Sequence, residues 1–542
     1  MAAPATTGAR ATGWRALPAE LHEKAINHLN DDRASLENLI ASDCPATNEA
    51  LRLYWSIATP DNDLFIILEN KPLHHRQFFA DFLRRVSIQF KAPGEHHEGR
   101  GLQYPRLQSL TVVHDQVLMG RESRTYARIR RFIDAHLRYL EVGCHLHEGM
   151  NVKPTTDNFL PDLSACLDLR SLTLRALVKG ATSQDLVDVL NNCTRLRSLH
   201  LEKYTESLID ESTIQAIAAH PAIRFLEIDK HLDVQLLSLV ANVPRPFEHI
   251  TSLTLCVDTS AAQFILPHMQ NLEMLELTVM SDYGTTSIFP YLRTLTTLES
   301  LYLKFRNRIL RDEDLSHLAP LKQLESLELS EHDDERAFFN TSMVRPDLFA
   351  AVLGSLPALD SFALHASHAF GDQFLLALGR SCHALRYLTL DGPFTLEPLS
   401  AELGVLFPCL QVLELGRVDS TVPMRSWGGF REAWAGGIAR ALLRHAPTLQ
   451  SIWLHEDGDG GLGESVKETW EEMTLGCGRR GVNAWSIAKE MDLEVGHKVL
   501  KSCCEGSRES VVAFLWIFPL RVFRVEGNKG QRFRPASVRR LT

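Results

Sequence analysis

The chain has 542 residues, 45% of them hydrophobic, and sets 57 Lys and Arg against 67 Asp and Glu for a net charge of -10. Phosphate binding wants a positive surface, so this balance excludes nucleic acid as the main partner. The ten cysteines include no C-x-x-C pair, which argues against a zinc ribbon or a disulfide framework, and the strongest apolar stretch, near 511–520, is too short to span a membrane.

Residues 1–16 are rich in Ala, Thr and Gly and lack the apolar run of a signal peptide, so 1–13 reads as disordered and the compartment as cytoplasm or nucleus. Three short helices follow. Pro18 suits a first helical turn, and Leu21, Ala25, Ile26 and Leu29 share one face. Asn30, Asp31 and Asp32 break and recap the chain. Leu36, Leu39 and Ile40 stripe a second helix, and Leu51, Tyr54, Trp55 and Ala58 a third. So few residues bury too little surface to be stable alone, and the module must lean on the rest of the chain, on a partner, or on both.

The run Leu17, Pro18, Ala19, Glu20, Leu21, then Ile26, Leu29, Leu36 and Leu39, resembles an F-box, and residues 47–54 are similar to fungal F-box-type proteins in particular. The segment after Leu39 departs from the usual pattern. The resemblance implies that 14–58 binds a Skp-type adaptor through Leu17, Pro18, Leu21, Ile26, Leu29, Leu36 and Leu39, and so joins a cullin–RING ubiquitin ligase. Without the resemblance, the same helices read as a cap on the open end of a repeat array. Residues 59–82 read as a helical linker.

From Leu107 onward one pattern, apolar-x-x-apolar-x-apolar, recurs thirteen times, the last copy beginning at Leu449, and a weaker copy begins at Leu83. Seven of the thirteen gaps are 25 to 27 residues, within the range of leucine-rich repeats. Each copy predicts a short strand with its last two apolar residues facing inward. Helical periodicity follows at 184–190, 210–220, 232–240, 347–356, 372–378 and 399–406. The expected fold is an α/β solenoid over 83–455, with a parallel inner sheet and outer helices.

The array resembles leucine-rich repeat proteins. That family often places Asn or Cys three residues after the last strand leucine, and here Leu177, Tyr204, His231, Asp258 and Arg306 stand in that place. Apolar packing is therefore expected to fix the curvature. Long gaps hold insertions at 115–136, 331–346 and 417–447. The first bears Arg121, Arg124, Arg128, Arg130 and Arg131, spaced as the solvated face of a helix.

Three motifs suggest other chemistry. Gly458, Gly460 and Gly463 satisfy G-x-G-x-x-G, yet Asp457 and Asp459 would repel a pyrophosphate and no βαβ unit follows. Asp457, Asp459 and Glu468 half-fit a calcium loop, with Leu462 where Gly should make the turn. Cys144, His145, His147 and Glu148 have metal-binding side chains, but on an extended chain adjacent residues diverge to opposite faces, which splits the set, and no distant matching cluster exists. No catalytic arrangement is legible from spacing, and no metal or cofactor is expected. Residues 456–542 read as a partly disordered extension, apolar over 511–523 and basic after it.

One column of residues lies between the last two apolar positions and therefore faces away from the core. It reads Thr111, Glu141, Thr173, His200, Glu227, Thr254, Glu276, Tyr302, Glu328, Ala363, Thr389, Glu414 and Trp453. Five are Glu and none is Lys or Arg. Two residues earlier the column is mostly Ser, so little is expected to shield those carboxylates. The sequence thus points to a non-catalytic receptor that takes a protein substrate on Glu141, His200, Glu227, Glu276, Tyr302, Glu328, Glu414 and Trp453, a basic one unless these acids only keep the face soluble. With the F-box resemblance it reads as the substrate-recognition subunit of a ligase. The alternatives are a leucine-rich repeat scaffold with no ligase role and a regulator of the GTPase-activator kind.

Overall fold

The computed structural model describes residues 57–58, 73–90, 102–114, 126–127, 129–144, 155–280, 287–332, 338–366, 370–418, 430–454, 466–471 and 474. The chain divides into a unit over Met1–Trp470 and a second over Glu471–Thr542. The expected adaptor-binding residues Leu17, Pro18, Leu21, Ile26, Leu29, Leu36 and Leu39 lie outside the described residues, as do His145, His147, Glu148, the glycine loop at 458–463 and everything after 474. Among the described residues, no group of His, Cys, Asp and Glu could hold a metal ion, and no helix is long and apolar enough to cross a membrane.

Each copy of the repeated pattern becomes a strand that begins two residues after its first apolar position. Leu196 precedes the strand Ser198–Leu201, and Leu272 precedes Met274–Val279. Together with the strand Ile57–Ala58 they form a 15-stranded sheet in which every neighbouring pair is parallel. Period-two alternation sends one set of leucines into the core: Leu199, Leu201, Leu275 and Leu277 are 0% exposed. Each such side chain contributes roughly 1.5–3 kcal/mol by leaving water, so the stack of repeats holds itself together. This is a leucine-rich repeat solenoid of the α/β kind.

The sheet starts earlier than expected. Ala58, assigned above to a third helix, lies in the strand Ile57–Ala58, which pairs with Arg85 and Val86. Pro60 follows closely and disfavours helical backbone just before it. The linker does supply a helix, at Leu73–Ala80.

On the opposite layer, the expected helices appear as Ser183–Asn192, Glu211–Ala219, Pro346–Gly354 and Asp372–Ser381. Asp210 caps the second of these by accepting from the Thr213 amide, and Ile214, Ile217 and Ala218 are buried as the pattern required. Two expectations are corrected. Leu232 belongs to the strand Phe225–Leu232, and the helix after it is only Val234–Ser238, followed by a 3-10 turn. The segment 399–406 is not an α-helix: a 3-10 turn, Glu397–Ala401, follows Leu396 at φ 58°, and Gly404 sits at φ 91°. Left-handed backbone on either side prevents propagation of a regular helix.

The described parts of the long repeats carry further strands. Tyr126–Ala127, Thr155–Thr156 and Leu177–Val178 form a second parallel sheet, and Asn307–Arg311 pairs with Phe338–Met343 in a third. Arg130, expected on a helix face, sits in a 3-10 turn and pairs with Asp162 at 2.7 Å. The other arginines of that insertion lie outside the described residues, apart from Arg131, whose backbone alone is described.

A polar ladder exists after all, on the other side of the repeat. Three residues before the first leucine, Cys166 Sγ donates to the Asp134 carbonyl at 3.2 Å and Cys193 Sγ to the Cys166 carbonyl at 3.4 Å. His220 Nε2 continues the series to the Cys193 carbonyl at 3.2 Å. Burial pushes the Cys166 thiol up to about 12 and the Cys193 thiol to about 11, so these are structural rather than reactive cysteines.

Candidate functional site

The thirteen residues of the expected binding column lie side by side. Thr111 pairs with Glu141, Glu141 with Thr173, and the register continues without a slip through His200, Glu227, Thr254, Glu276, Tyr302, Glu328, Ala363, Thr389 and Glu414 to Trp453. With strands about 4.8 Å apart, twelve steps make a row on the order of 58 Å long. Apart from buried Thr173, each member is half-buried, with its leucine neighbours on the opposite face. The row is a surface and not a pocket.

Its carboxylates are less bare than the sequence suggested. Arg175 donates from Nε to Glu202 at 2.5 Å and from a terminal nitrogen to Glu141 at 3.2 Å, tying together three consecutive strands. Gly143 leaves room for this crossing: a Cβ there would lie 3.3 Å from Arg175 Cδ. His200 Nδ1 meets Glu227 at 2.7 Å, and Lys304 Nζ meets Glu276 at 2.6 Å. Thr389 donates to Glu414 at 3.5 Å. Glu328 has no side-chain partner among the described residues, although its charge acts on His365.

The next column outward supplies these counter-charges, which single-strand reading could place on the face but not pair. Arg175, Glu202, Lys304, His365 and Asp391 all stand two residues beyond the binding column. Burial raises the Glu202 carboxyl above its ordinary range, and the Arg175 guanidinium only partly offsets this. His365 Nδ1 contacts Asp391 at 3.0 Å. Asp391 occupies a bulge, because the register jumps between Leu390 and Pro393. Opposite it, Gly416 permits the close approach: a Cβ would sit 3.0 Å from Asp391 Cα.

Trp453, expected above among the substrate-binding residues, is already engaged. Lys467 Nζ lies 6.0 Å from its ring centroid, and Val466 and Trp470 of the same segment are buried. Tyr302 is the aromatic left at mid-row, between Glu276 and Glu328.

No family model matches the sequence, and no curated protein matches it. Among solved structures, the chain is similar to the yeast Rad7 and Elc1 complex at 14% identity, covering 80% of this chain and 93% of that one with a TM-score of 0.37. The leucine-rich repeat-containing protein LegL7 from Legionella pneumophila is similar at 12% identity, over 71% of this chain and 98% of that one, with a TM-score of 0.26. The mouse RP105/MD-1 complex is similar at 13% identity, over 69% and 67% respectively, with a TM-score of 0.34.

Proposed function

We propose that this chain is a non-catalytic receptor of the cytoplasm or nucleus, whose solenoid holds a basic protein substrate on the open face of its sheet. The observation that supports this reading is the unbroken lateral register from Thr111 to Trp453. A row of half-exposed side chains on a rigid sheet suits an extended macromolecular contact, whereas small-molecule chemistry favours a concave pocket. Carboxylates outnumber cations in the row and its neighbour, which fits a partner presenting Lys or Arg.

Its place in the cell follows from the F-box resemblance at 17–54. On that reading the N-terminal helices bind a Skp-type adaptor, and the protein is the substrate-recognition subunit of a Skp–cullin–F-box ubiquitin ligase. The support is sequence alone, carried by the Leu17–Leu21 run and the apolar face behind it. Fold by itself does not assign function, so the two halves of the proposal are tested separately.

Purified full-length protein should capture a recombinant Skp-type adaptor, and the double variant Leu17→Asp, Leu21→Asp should not. The variant should keep the wild-type melting transition of the solenoid. Failure of the wild-type protein to capture any such adaptor would leave a scaffold without a ligase role. Accelerated GTP hydrolysis by an added small GTPase would replace the receptor reading with a regulatory one.

A further inference from the structure

The residue just before each strand forms a second row, along the edge of the sheet where the strands begin. Its backbone is fixed by a continuous ladder. The Arg224 carbonyl accepts from the Thr251 and Ser252 amides, the Thr251 carbonyl from Glu273 and Met274, and the Glu273 carbonyl from Glu299 and Ser300. The same double acceptance runs from the Arg84 carbonyl to that of Gln411. Residues in this row are therefore one strand spacing apart, about 4.8 Å.

The charges along the row reverse about its middle. Before Thr251 come Arg138, Arg170, Arg197 and Arg224, on successive strands. After it come Glu273, Glu299, Glu325 and Asp360, also on successive strands, and then Arg386, whose charge acts on Asp360. Most of these side chains are exposed, and Arg138, Arg170 and Asp360 are half-buried. None of the eight has a side-chain hydrogen bond or ion pair among the described residues. The nearby turn charges Arg195 and Asp168, in contrast, satisfy each other.

Unpaired like charges at this spacing repel. Lost hydration, and then the charges of Glu299 and Asp360, push the Glu325 carboxyl above its ordinary range. Within the chain, the charge of Arg386 relieves only Asp360, at the far end of the acid half. The arrangement becomes favourable only when something of opposite polarity lies against it.

We propose that this edge is the interface of a two-fold symmetric homodimer, in which the row of one copy lies antiparallel against the row of a second. A two-fold axis through Thr251 maps each position onto its mirror in the row. It sets Arg224 against Glu273 of the second copy, Arg197 against Glu299, Arg170 against Glu325 and Arg138 against Asp360. Every pair is of opposite sign, and each occurs twice, as an isologous interface requires. A nine-strand edge about 38 Å long, one sheet and one helix deep, presents roughly 700 Å² from each copy, close to the size of a standard specific interface.

An acidic partner protein would use only the arginine half. That half does end in a shallow cleft of about 240 Å³, lined by Arg84, Arg106, Gln108, His136, Arg138 and Asp168 together with Pro105. A ligand there leaves the four matched acids unexplained, so the second copy is the occupant that the whole row fits.

Sedimentation velocity of the full chain across a concentration series tests the inference. Because the contacts are ionic and exposed, a dimer is expected at low salt that dissociates as salt is raised. Arg197→Glu alone and Glu299→Arg alone should each weaken dimerisation by about tenfold or more, since each change strikes two symmetry-related pairs. The two together in one chain should restore it, because position 197 faces position 299 across the axis. In high salt, where wild type and variants are all monomers, the melting temperatures of the variants should not fall, because each change relieves like-charge repulsion within its own row. A monomer at every concentration in low salt would overturn the proposal, and so would a dimer indifferent to the single changes or a double variant that fails to recover. Binding of a fluorescent hexaglutamate peptide to such a monomer, lost in Arg138→Glu, would assign the arginine half to an acidic partner instead.

Discussion

His365 Nδ1 lies 3.0 Å from Asp391 Oδ2, joining neighbouring strands on the open face of the sheet. Burial alone would lower the imidazole pKa. The hydrogen bond to Asp391 and the charges of Asp391, Glu328 and Glu414 outweigh that effect and raise it above 6.5. A raised folded value stabilises fully below the unfolded value near 6.5, and the contribution is lost as pH rises through the folded value. The His365 resonance, identified by its absence in His365→Gln, should titrate above 6.5. In Asp391→Asn it should fall back. A normal titration in the wild-type protein would contradict this account.

His220 behaves oppositely. Its Nε2 donates to the Cys193 carbonyl and its Nδ1 accepts from the Ala222 amide, which selects the neutral Nε2–H tautomer. Burial lowers its pKa, and nearby His249 adds to the effect. The unfolded chain then takes up a proton near pH 6.5 that the folded chain refuses, so stability is lost as pH falls. Between pH 7.5 and pH 5 the denaturant midpoint of the wild-type protein should fall relative to that of His220→Gln, which lacks this contribution while His365 acts equally in both.

Arg308 and Asp314 form an ion pair at 2.8 Å with only 6% and 7% of their side chains exposed. Asp314 also accepts from Ser287 Oγ at 2.6 Å and from the Arg311 amide at 3.1 Å. Removing Asp314 takes its carboxylate from a buried guanidinium and leaves the Ser287 and Arg311 donors without this acceptor; breaking a buried pair in this way costs about 3–5 kcal/mol. Asp314→Ala should therefore destabilise the solenoid by that order in equilibrium denaturation. A loss below about 1 kcal/mol, the range of exposed pairs, would show that water reaches this site.

Glu328 and Glu276 stand on either side of Tyr302 but differ in their partners. Glu276 holds Lys304, so Glu276→Lys places two ammonium groups together and should lower the melting temperature as well as weaken substrate capture. Glu328→Lys breaks no ion pair among the described residues. It should slow association with a basic partner, more so at low salt, while leaving stability within about 0.5 kcal/mol of wild type. Surface plasmon resonance at two salt concentrations and a thermal melt separate the two effects.

Much of this molecule is legible along a single chain, because the relevant periodicities are local. The spacing of Leu196, Leu199 and Leu201 marks a strand and its buried face, and Asp210 followed by Ile214 and Ile217 marks a capped helix. The column from Thr111 to Trp453 could be listed without coordinates, since alternation on each strand already chooses its members. Tertiary structure decided which of them pair. Arg175 reaches Glu141 and Glu202 only because parallel stacking brings residues 34 and 27 positions apart into contact. The bulge at Asp391, the lysine over Trp453 and the mirror order of arginines and acids about Thr251 belong to the same class. Sequence period determines what each repeat presents, whereas the sign and satisfaction of a charge depend on neighbours that only the stacked sheet supplies.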